Sequence, residues 1–325
     1  MKICIVGAGA IGGTLAARLE QAGEEVSVIA RGPHLAAIHE SGLRYRTPET
    51  AFTTHPAASD NPDDFGPQDF VILTVKAPSL PGIAPALAPL IGPDTSVVAA
   101  MNGIPWWFCD ALPVPLKGRS LETVDPGGML AATLPREHAL GCVVHAGASV
   151  PEPGLIDHMA GDRFIVGSAD RAPSARADKL AAAIARSGLN SVATADIHGE
   201  IWMKLIGNMG MGPICTLTGA TLVKMAHDMD VRPIAAEMMR EAVAIGDALD
   251  LPMTMGIEER IDLGAELGEF KPSILQDLEL GRPMEIDALV SVVSELGTIA
   301  GLPTPTIDIV LALLRGRARQ AGLYA

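Results

Sequence analysis

The sequence lacks the features that mark several classes of protein. Its four cysteines, Cys4, Cys109, Cys142 and Cys215, are scattered without a CxxC pair or a Cys/His spacing. Neither a zinc site nor a disulfide framework is therefore predicted. The eight histidines also show no HExxH or other ligand spacing, and no GxSxG nucleophile motif occurs. We expect no metal site and a reducing compartment.

Long apolar runs and a broad positive charge are missing as well. No stretch of about 20 apolar residues occurs, and the apolar start is too short and too glycine-rich for a signal peptide. The formal net charge is −14 and the pI is about 4.9, which argues against nucleic acid or anionic lipid as a partner. We expect a cytoplasmic protein without a membrane segment, in which a few local cations hold any anionic ligand.

The pattern of the chain predicts two domains, as its 325 residues suggest. Runs rich in Val and Ile first alternate with helical patterns, which is typical of βαβ units around a mostly parallel sheet. The predicted strands are Lys2–Val6, Glu25–Ala30, Phe70–Thr74, Ser96–Ala100, Cys142–His145 and Arg163–Val166, followed by a helix near Ser174–Ser187. After about residue 194 the patterns are helical. The predicted helices there include Ala235–Leu249, Ser273–Leu280, Glu285–Ala300 and Thr306–Gln320. The predicted fold is α/β, with an N-terminal Rossmann-type parallel-sheet domain over residues 1–194 and an all-helical C-terminal domain over 195–325.

A glycine-rich turn follows the first predicted strand and precedes the helical run Thr14–Ala22. The GxGxxG turn consists of Gly7, Ala8, Gly9, Ala10, Ile11 and Gly12. In this context Gly7 permits a tight turn, Gly9 lets a pyrophosphate approach the backbone, and Gly12 allows close helix–strand packing. Free N–H groups at the start of the helix would then meet the phosphates. The alternative is a glycine-rich turn with no ligand.

The end of the second strand predicts which dinucleotide is bound. NAD-selective sites place an acid about 20 residues after the turn, where it binds the 2′-hydroxyl of the ribose. This chain has Arg31 there and no acid. A guanidinium can pair with a 2′-phosphate in bidentate fashion, so NADP is predicted. The alternative is that Arg31 is an ordinary exposed arginine.

Candidate chemical residues occur on the predicted helices. Lys204 and Asn208 are four residues apart and share one helix face, where an ammonium and an amide could hold a polar substrate. A partly desolvated lysine has a lowered pKa and is a competent general acid. Ser273 and Glu285 have structural alternatives, because Ser273 with Gln276 matches a capping box and Glu285 suits a first helical turn. Spacing alone does not decide between these readings.

Two further candidates follow predicted strands. Lys76 lies just past the strand Phe70–Thr74, and Asn102 lies just past Ser96–Ala100. Open α/β sheets bind their ligands at the carboxyl ends of parallel strands. Both residues are therefore expected to line a binding site.

Taken in order, these motifs resemble the ketopantoate reductase family, also called 2-dehydropantoate 2-reductases. The resemblance covers nearly the whole chain. It rests on GxGAIGG at Gly7–Gly13, Arg31, Val75-Lys76, Asn102-Gly103, Trp202-x-Lys204-Leu205 with Asn208, Ser273-x-x-Gln276-Asp277, and Gly281-Arg282-Pro283-x-Glu285-Ile286-Asp287.

The resemblance implies a cleft for NADPH and ketopantoate between a Rossmann domain and a helical domain, in an enzyme of pantothenate and coenzyme A synthesis. It implies that Lys204 is the general acid and that Glu285 binds substrate and supports the lysine. Asn208 and Ser273 would hold substrate. Lys76 and Asn102 would line the cofactor and substrate cleft. The family also suggests a homodimer.

This chain departs from the family at positions that bear on substrate identity. Many members carry a second asparagine that grips substrate at the position of Gly212, and Asn-Gly where this chain has Val290-Ser291. The Gln that often precedes Asn102 is Met101. We expect the missing side chain at residue 212 to leave space that admits a bulkier or less polar 2-keto acid.

Two alternatives to a ketopantoate reductase follow from the same motifs. One is an NADP-dependent dehydrogenase for another hydroxy acid or an imine. The other is a nonenzymatic NADP-binding sensor, against which the presence of both Lys204 and Glu285 argues.

Overall fold

Two units make up the part of the chain that the computed structural model describes, residues 1–324. The first unit comprises Met1–Met101 and Met129–Ile197, and the second comprises Asn102–Gly128 and 198–324. The sequence suggested a single boundary after residue 194, whereas the structure assigns Asn102–Gly128 to the second unit. Hydrogen bonds explain this assignment. The carboxylate of Glu295, a residue of the second unit, accepts the backbone N–H groups of Glu122 and Thr123 at 2.8 and 3.0 Å.

A single sheet forms the first unit. Within residues 1–324 its ten strands are β1 (Lys2–Val6), β2 (Glu25–Ile29), β3 (Leu43–Arg46), β4 (Ala51–Thr54), β5 (Ala57–Ser59), β6 (Phe70–Leu73), β7 (Ser96–Ala99), β8 (Leu140–Glu152), β9 (Leu155–Ser168) and β10 (Asn190–Thr194). Their order is β4-β3-β9-β8-β7-β6-β1-β2-β5, and β10 pairs with β9. The stretch from β5 through β8 is entirely parallel, which is the doubly wound arrangement. The pairs β3·β4 and β8·β9 are antiparallel.

The central strands could be predicted from the sequence because both of their faces are buried, which gives them continuous apolar runs. Every residue of β6 and β7 is buried, as expected for parallel strands with helices on both sides. All six predicted strands are present, and the predicted fold class is confirmed. The strands β3, β4, β5 and β10 were not predicted. They are short and partly exposed, so their sequences carry no strong apolar run.

The helices of the first unit cover the sheet. They are α1 (Ala10–Gln21), α2 (Gly32–Ser41), α3 (Leu80–Ile83), α4 (Met129–Thr133) and α5 (Ala175–Arg186). Ser174 caps α5, since its hydroxyl accepts the N–H of Ala177 at 3.4 Å. Helix α1 begins four residues before the predicted run at Thr14, because its glycine-rich first turn shows no apolar periodicity.

Helices alone build the regular structure described for the second unit within residues 1–324. They are α6 (Ile197–Thr218), α7 (Leu222–His227), α8 (Arg232–Ala248), α9 (Ile257–Ala265), α10 (Ser273–Glu279), α11 (Val292–Ala300) and α12 (Pro305–Gln320), with a π-helical turn at Asp287–Ser291. The Glu241 carboxylate of α8 caps α12 by accepting the N–H groups of Thr306 and Ile307 at 2.7 and 2.9 Å. No helix in the described range combines the length and the apolar character needed to span a membrane.

Glycines in α6 let three neighbouring helices approach its backbone. A Cβ atom at Gly207 would lie 2.0 Å from Nη2 of Arg260 on α9. At Gly210 it would lie 2.5 Å from Cγ of Met239 on α8, and at Gly212 it would lie 3.2 Å from Cγ2 of Ile274 on α10. A glycine inside a helix lowers the stability of the folded protein by roughly 0.5–1 kcal/mol relative to an alanine. Close packing by the three helices accounts for glycine at these positions.

Candidate active site

The glycine-rich turn of the first unit has the geometry that its motif predicts. Gly7 has a φ of +98°, and a Cβ there would lie 2.7 Å from Cγ1 of Val75. A Cβ at Gly12 would lie 2.0 Å from the Gly7 carbonyl oxygen and 2.3 Å from Oγ1 of Thr74. Gly9 differs, because a Cβ there would meet nothing within 4 Å. Gly7 and Gly12 thus allow the turn to close on β1 and β6, and Gly9 leaves its backbone open to a ligand.

The start of α1 is suited to an anion. The N–H of Gly13 donates to the carbonyl of Gly9 at 2.7 Å, so the N–H groups of Ala10, Ile11 and Gly12 precede that bond. No acid occupies this first turn. Together with the helix dipole, these N–H groups favour a phosphate. The residues present therefore fit the pyrophosphate of a dinucleotide.

Arg31 lies where the sequence predicts a 2′-phosphate partner. It follows the last residue of β2 by two positions and is the N-cap residue of α2, with an exposed side chain. Within residues 1–324, Arg31 makes no ion pair or side-chain hydrogen bond. It is therefore free to bind an anion from solution.

His34 also approaches the glycine-rich turn, and sequence reasoning missed it. Its Nδ1 accepts the N–H of Gly154 at 3.0 Å, and its ring interacts with the backbone of Ala8. Burial lowers the pKa of His34 below its usual value of 6.5. A neutral imidazole on α2 therefore accepts the Gly154 N–H beside the turn. No local motif in the sequence indicates this contact, since His34 and Gly154 are 120 residues apart.

Lys76 lies near the end of β6, as predicted. It is half-buried and precedes a short 3₁₀ turn at Ala77–Ser79, to which its carbonyl contributes by accepting the N–H of Ser79 at 2.8 Å. The carboxyl end of a parallel strand is the usual ligand edge of an open α/β sheet.

In the second unit, Lys204 and Asn208 lie on one face of α6. Both side chains are half-buried, and the neighbouring Leu205 and Ile206 are buried. The polar pair is thus held by a helix whose other faces are packed. A half-buried ammonium beside an amide can bind an oxygen atom and donate a proton to it.

The segments that carry Glu285 and Asn102 pack against each other through Gly103 and Ala288. Glu285 is 4% exposed, and its carbonyl accepts the N–H of Leu289 in the π-helical turn. Gly103, with a φ of +87°, packs against that turn so closely that a Cβ would lie 2.4 Å from the carbonyl oxygen of Ala288. Residues 102 and 285 therefore belong to adjoining segments of the second unit. π-Helical turns occur frequently at functional sites.

The capping box, which was the structural alternative for Ser273, does not form at the start of α10. Pro272 is the N-cap residue of α10, and Ser273 is its first helical residue with an exposed side chain. The Gln276 amide donates instead to the carbonyl of Lys271 at 2.8 Å. The Ser273 hydroxyl is therefore not used as a helix cap.

The space expected at Gly212 is filled. Ile274 lies 3.2 Å and Pro272 lies 3.9 Å from the position of a Cβ at residue 212. Met211 points elsewhere, because its sulfur lies 2.7 Å from where a Cβ of Gly264 on α9 would be. Apolar packing between α6 and α10 therefore fills this position.

Sequence reasoning also missed Arg260. Its guanidinium lies on the backbone of Gly207, with Nη2, Cζ and Nε all within 2.7 Å of the position that a Cβ would take. Burial lowers the pKa of the Arg260 guanidinium below the usual value of an arginine. The signal that could have found it is an arginine facing a helical glycine, but such a pairing is visible only once the helices are packed.

The fold and the candidate site together indicate a class of enzyme. A parallel sheet with an open glycine-rich turn, followed in the chain by a helical unit with a lysine–amide pair, is typical of dinucleotide-dependent oxidoreductases. The family model "Ketopantoate reductase PanE/ApbA" matches residues 3–106, and "Ketopantoate reductase PanE/ApbA C terminal" matches residues 196–318. The chain belongs to the ketopantoate reductase family, whose members are NAD(P)-dependent oxidoreductases. The resemblance predicted from the motifs is confirmed.

Individual relatives agree with the family match. The chain is 45% identical over 326 residues to a 2-dehydropantoate 2-reductase of Mesorhizobium japonicum, with 100% of both chains covered. It is 45% identical to a candidate ketopantoate reductase from Ralstonia solanacearum MolK2, whose crystal structure superposes with a TM-score of 0.95 over 99% of each chain. A D-mandelate dehydrogenase in ternary complex with NADH and anilino(oxo)acetate is 23% identical, with a TM-score of 0.85 over 99% of this chain and 100% of that one. This last likeness shows the shared fold alone.

Proposed function

We propose that the chain is an NADPH-dependent 2-dehydropantoate 2-reductase, which reduces ketopantoate or a closely related 2-keto acid to the 2-hydroxy acid in pantothenate biosynthesis. The observation that carries the proposal is full-length identity of 45% to a protein of that activity. The residues on which the motif resemblance rests support it, because Lys204, Asn208, Asn102 and Glu285 all lie in the second unit.

The cofactor is bound by the first unit in this proposal. Gly7, Gly9 and Gly12, with the intervening Ala8, Ala10 and Ile11, hold the pyrophosphate at the start of α1. Arg31 pairs with the 2′-phosphate, and Lys76 and Asn102 contact the nicotinamide half. The bound nicotinamide supplies the hydride for the reduction. Support for NADP over NAD comes from an exposed, unpaired arginine at the end of β2 and from the absence of an acid there.

Lys204 is the general acid in this proposal. Its ammonium binds the carbonyl oxygen of the keto group and donates a proton as negative charge develops there, which typically contributes 10²–10⁴-fold in rate. Glu285 is almost completely buried and lies two residues before the π-helical turn. We assign it to supporting the ammonium and binding a substrate hydroxyl, since a buried carboxylate requires a hydrogen-bonding or cationic partner.

Asn208 and Ser273 hold the substrate. Asn208 follows Lys204 by one helical turn, so its amide can bind the same small molecule as the ammonium. The exposed Ser273 hydroxyl is not engaged in capping and can both donate and accept a hydrogen bond.

A second candidate is a reductase for a less polar 2-keto acid. It is favoured by the apolar surroundings of Gly212, because Cγ2 of Ile274 lies 3.2 Å from the position of a Cβ there, where the family resemblance implies an asparagine. A site that has lost an amide discriminates less strongly in favour of a hydroxylated substrate.

The test is a substrate panel. Purified protein is assayed for oxidation of NADPH and NADH with ketopantoate, 3-methyl-2-oxobutanoate and phenylglyoxylate, each with and without ammonium. The proposal expects the highest kcat/KM with ketopantoate and NADPH, and no requirement for amine. A higher value for an unhydroxylated acid selects the second candidate. Amine dependence would indicate an imine-forming dehydrogenase, and NADPH binding without turnover would indicate a sensor.

The proposal also includes a homodimer in the cytoplasm. The family resemblance supports the homodimer, and four buried cysteines that form no disulfide fit a reducing cytoplasm. Light scattering at micromolar concentration should give twice the chain mass of 33.8 kDa, and a monomer would remove this part.

A further inference from the structure

The Arg260 side chain packs against a helix backbone instead of extending into solvent. The side chain is half-buried, and its guanidinium lies on the α6 backbone at Gly207. Within residues 1–324 it makes no ion pair and no side-chain hydrogen bond. Burying an unpaired charge is costly unless an anion or another acceptor completes it. Such a group is expected to have a ligand.

The helix that carries Arg260 has acids, but they are directed elsewhere. Glu258 and Asp262 both pair with Arg232 of α8, at 2.7 and 2.8 Å. The Glu259 carboxylate accepts the N–H of Gly256 at the start of α9. The fold thus leaves Arg260 without a counter-ion although its helix contains three carboxylates close to it in sequence.

The position of Arg260 connects it to the candidate substrate residues. Gly207, on which it lies, is three residues after Lys204 and immediately before Asn208. Side chains three or four residues apart on a helix are neighbours, with Cβ atoms about 5–6 Å apart. The guanidinium therefore lies beside the face of α6 that presents the ammonium and the amide.

Close packing holds the guanidinium there. Met211 of α6 packs against Gly264 of α9, and Arg260 of α9 packs against Gly207 of α6. Each large side chain meets a glycine on the other helix, one helical turn apart. This reciprocal fit fixes the register of α9 on α6 and orients the guanidinium, so less conformational entropy is lost when a ligand binds.

We propose that Arg260 binds the carboxylate of the 2-keto acid substrate and makes the protein selective for acids over neutral ketones. A guanidinium matches a carboxylate in bidentate geometry. The inference rests on the proposed function for the identity of the ligand.

The experiment compares an acid with a neutral ester of the same carbon skeleton. Initial rates are measured with ketopantoate and with ketopantoyl lactone for the wild-type protein, Arg260→Met and Arg260→Lys. Arg260→Met should lower kcat/KM for the acid at least about 30-fold, mainly through KM, because a charge-assisted bidentate contact is lost. The value for the lactone should change less than about threefold. Arg260→Lys should recover part of the loss, since it keeps the charge without the planar fork.

Two controls separate ligand binding from folding. Arg240 is an exposed arginine of the same unit that pairs with Glu237, and Arg240→Met should leave the preference for acid over lactone unchanged. Gly207→Ala keeps every charge but displaces the guanidinium, so it should reduce the preference as Arg260→Met does. Equal losses for acid and lactone in Arg260→Met would show a structural role and overturn the proposal.

A binding measurement keeps the two proposals distinguishable. Pantoate and pantoyl lactone are titrated calorimetrically into protein saturated with NADP⁺. Weaker pantoate binding in Arg260→Met, with lactone binding unchanged, supports the carboxylate role even if no 2-keto acid is reduced. Turnover of ketopantoate with an unchanged acid preference in Arg260→Met overturns this inference and leaves the proposed function in place. Absence of both pantoate binding and turnover in the wild-type protein contradicts both.

Discussion

The glycine-rich turn of the first unit and the α6 face of the second unit reach their geometry by different routes. The turn is continuous in sequence, and its key distances join residues near the ends of β1 and β6. In the second unit, Arg260 of α9 lies beside Lys204 and Asn208 of α6, and the segments that carry residues 102 and 285 adjoin each other. A local motif therefore specifies the first site, whereas helix packing specifies the second.

This difference explains which parts of the site could be predicted. Backbone geometry defines the role of each glycine in the turn, and backbone geometry follows from local sequence. Arg260 matters only because α9 packs on α6 at Gly207, and no spacing within residues 256–265 indicates that contact. If the two regions have separate roles, substitutions in the glycine-rich turn should change nucleotide binding, and substitutions around α6 should change the reduction of substrate.

Arg31→Ala should have the largest effect among the variants of the first region. Loss of a bidentate contact to the 2′-phosphate should raise the Kd of NADPH roughly ten- to a hundred-fold and change that of NADH little. Fluorescence titration with each nucleotide measures this difference. Equal losses for both nucleotides, or a wild-type preference for NADH, would remove the argument for NADP.

Gly12→Ala and Gly9→Ala form a matched pair within the turn. A Cβ at Gly12 overlaps the Gly7 carbonyl, so Gly12→Ala should lower the free energy of unfolding by about 1–3 kcal/mol. A Cβ at Gly9 meets no protein atom within 4 Å, so Gly9→Ala should leave stability within about 0.5 kcal/mol of wild type. It should nevertheless weaken NADPH binding about tenfold or more, because the added methyl stands where the pyrophosphate approaches.

Denaturant unfolding and nucleotide titration check this pair. If Gly9→Ala bound NADPH as wild type does, the pyrophosphate would not lie on this turn. If Gly12→Ala were as stable as wild type, the close contact between α1 and β1 would not constrain the residue.

Gly212→Asn should have the smallest effect. An asparagine Cβ would lie 3.2 Å from Cγ2 of Ile274, so the side chain must displace α10 slightly. We expect a lower melting temperature and a change of less than about threefold in the ratio of kcat/KM between ketopantoate and 3-methyl-2-oxobutanoate. A large gain for ketopantoate would show that residue 212 reaches the substrate despite Ile274.

Sequence alone predicted the central strands, the glycine-rich turn and the helical second unit. The strands β6 and β7 carry continuous apolar runs because they are buried on both faces. It did not predict the edge strands β5 and β10, which are short and only partly buried. Nor did it predict that Asn102–Gly128 packs with the helices, since that depends on the Glu295 carboxylate, which is more than 170 residues away in the chain.

The candidate side chains of α6 were identified by motif, and their surroundings were not. Spacing predicted that Lys204 and Asn208 share a face, and α6 bears this out as a continuous helix. The capping-box alternative at Ser273 and the space expected at Gly212 were wrong, because Pro272 is the N-cap residue of α10 and Ile274 fills the gap. Both errors arose where the position of α10 against α6 decides the outcome.

The central claim is that the first region binds the nucleotide and the second performs the chemistry. Lys204→Met tests it most directly, with NADPH affinity and single-turnover reduction of ketopantoate measured on the same preparation. The account predicts that the single-turnover rate constant of reduction falls at least about 10²-fold, because the developing oxyanion loses its proton donor, while the Kd of NADPH changes less than about twofold. Near wild-type reduction by the folded variant, or a loss of NADPH binding equal to the loss of rate, would contradict it.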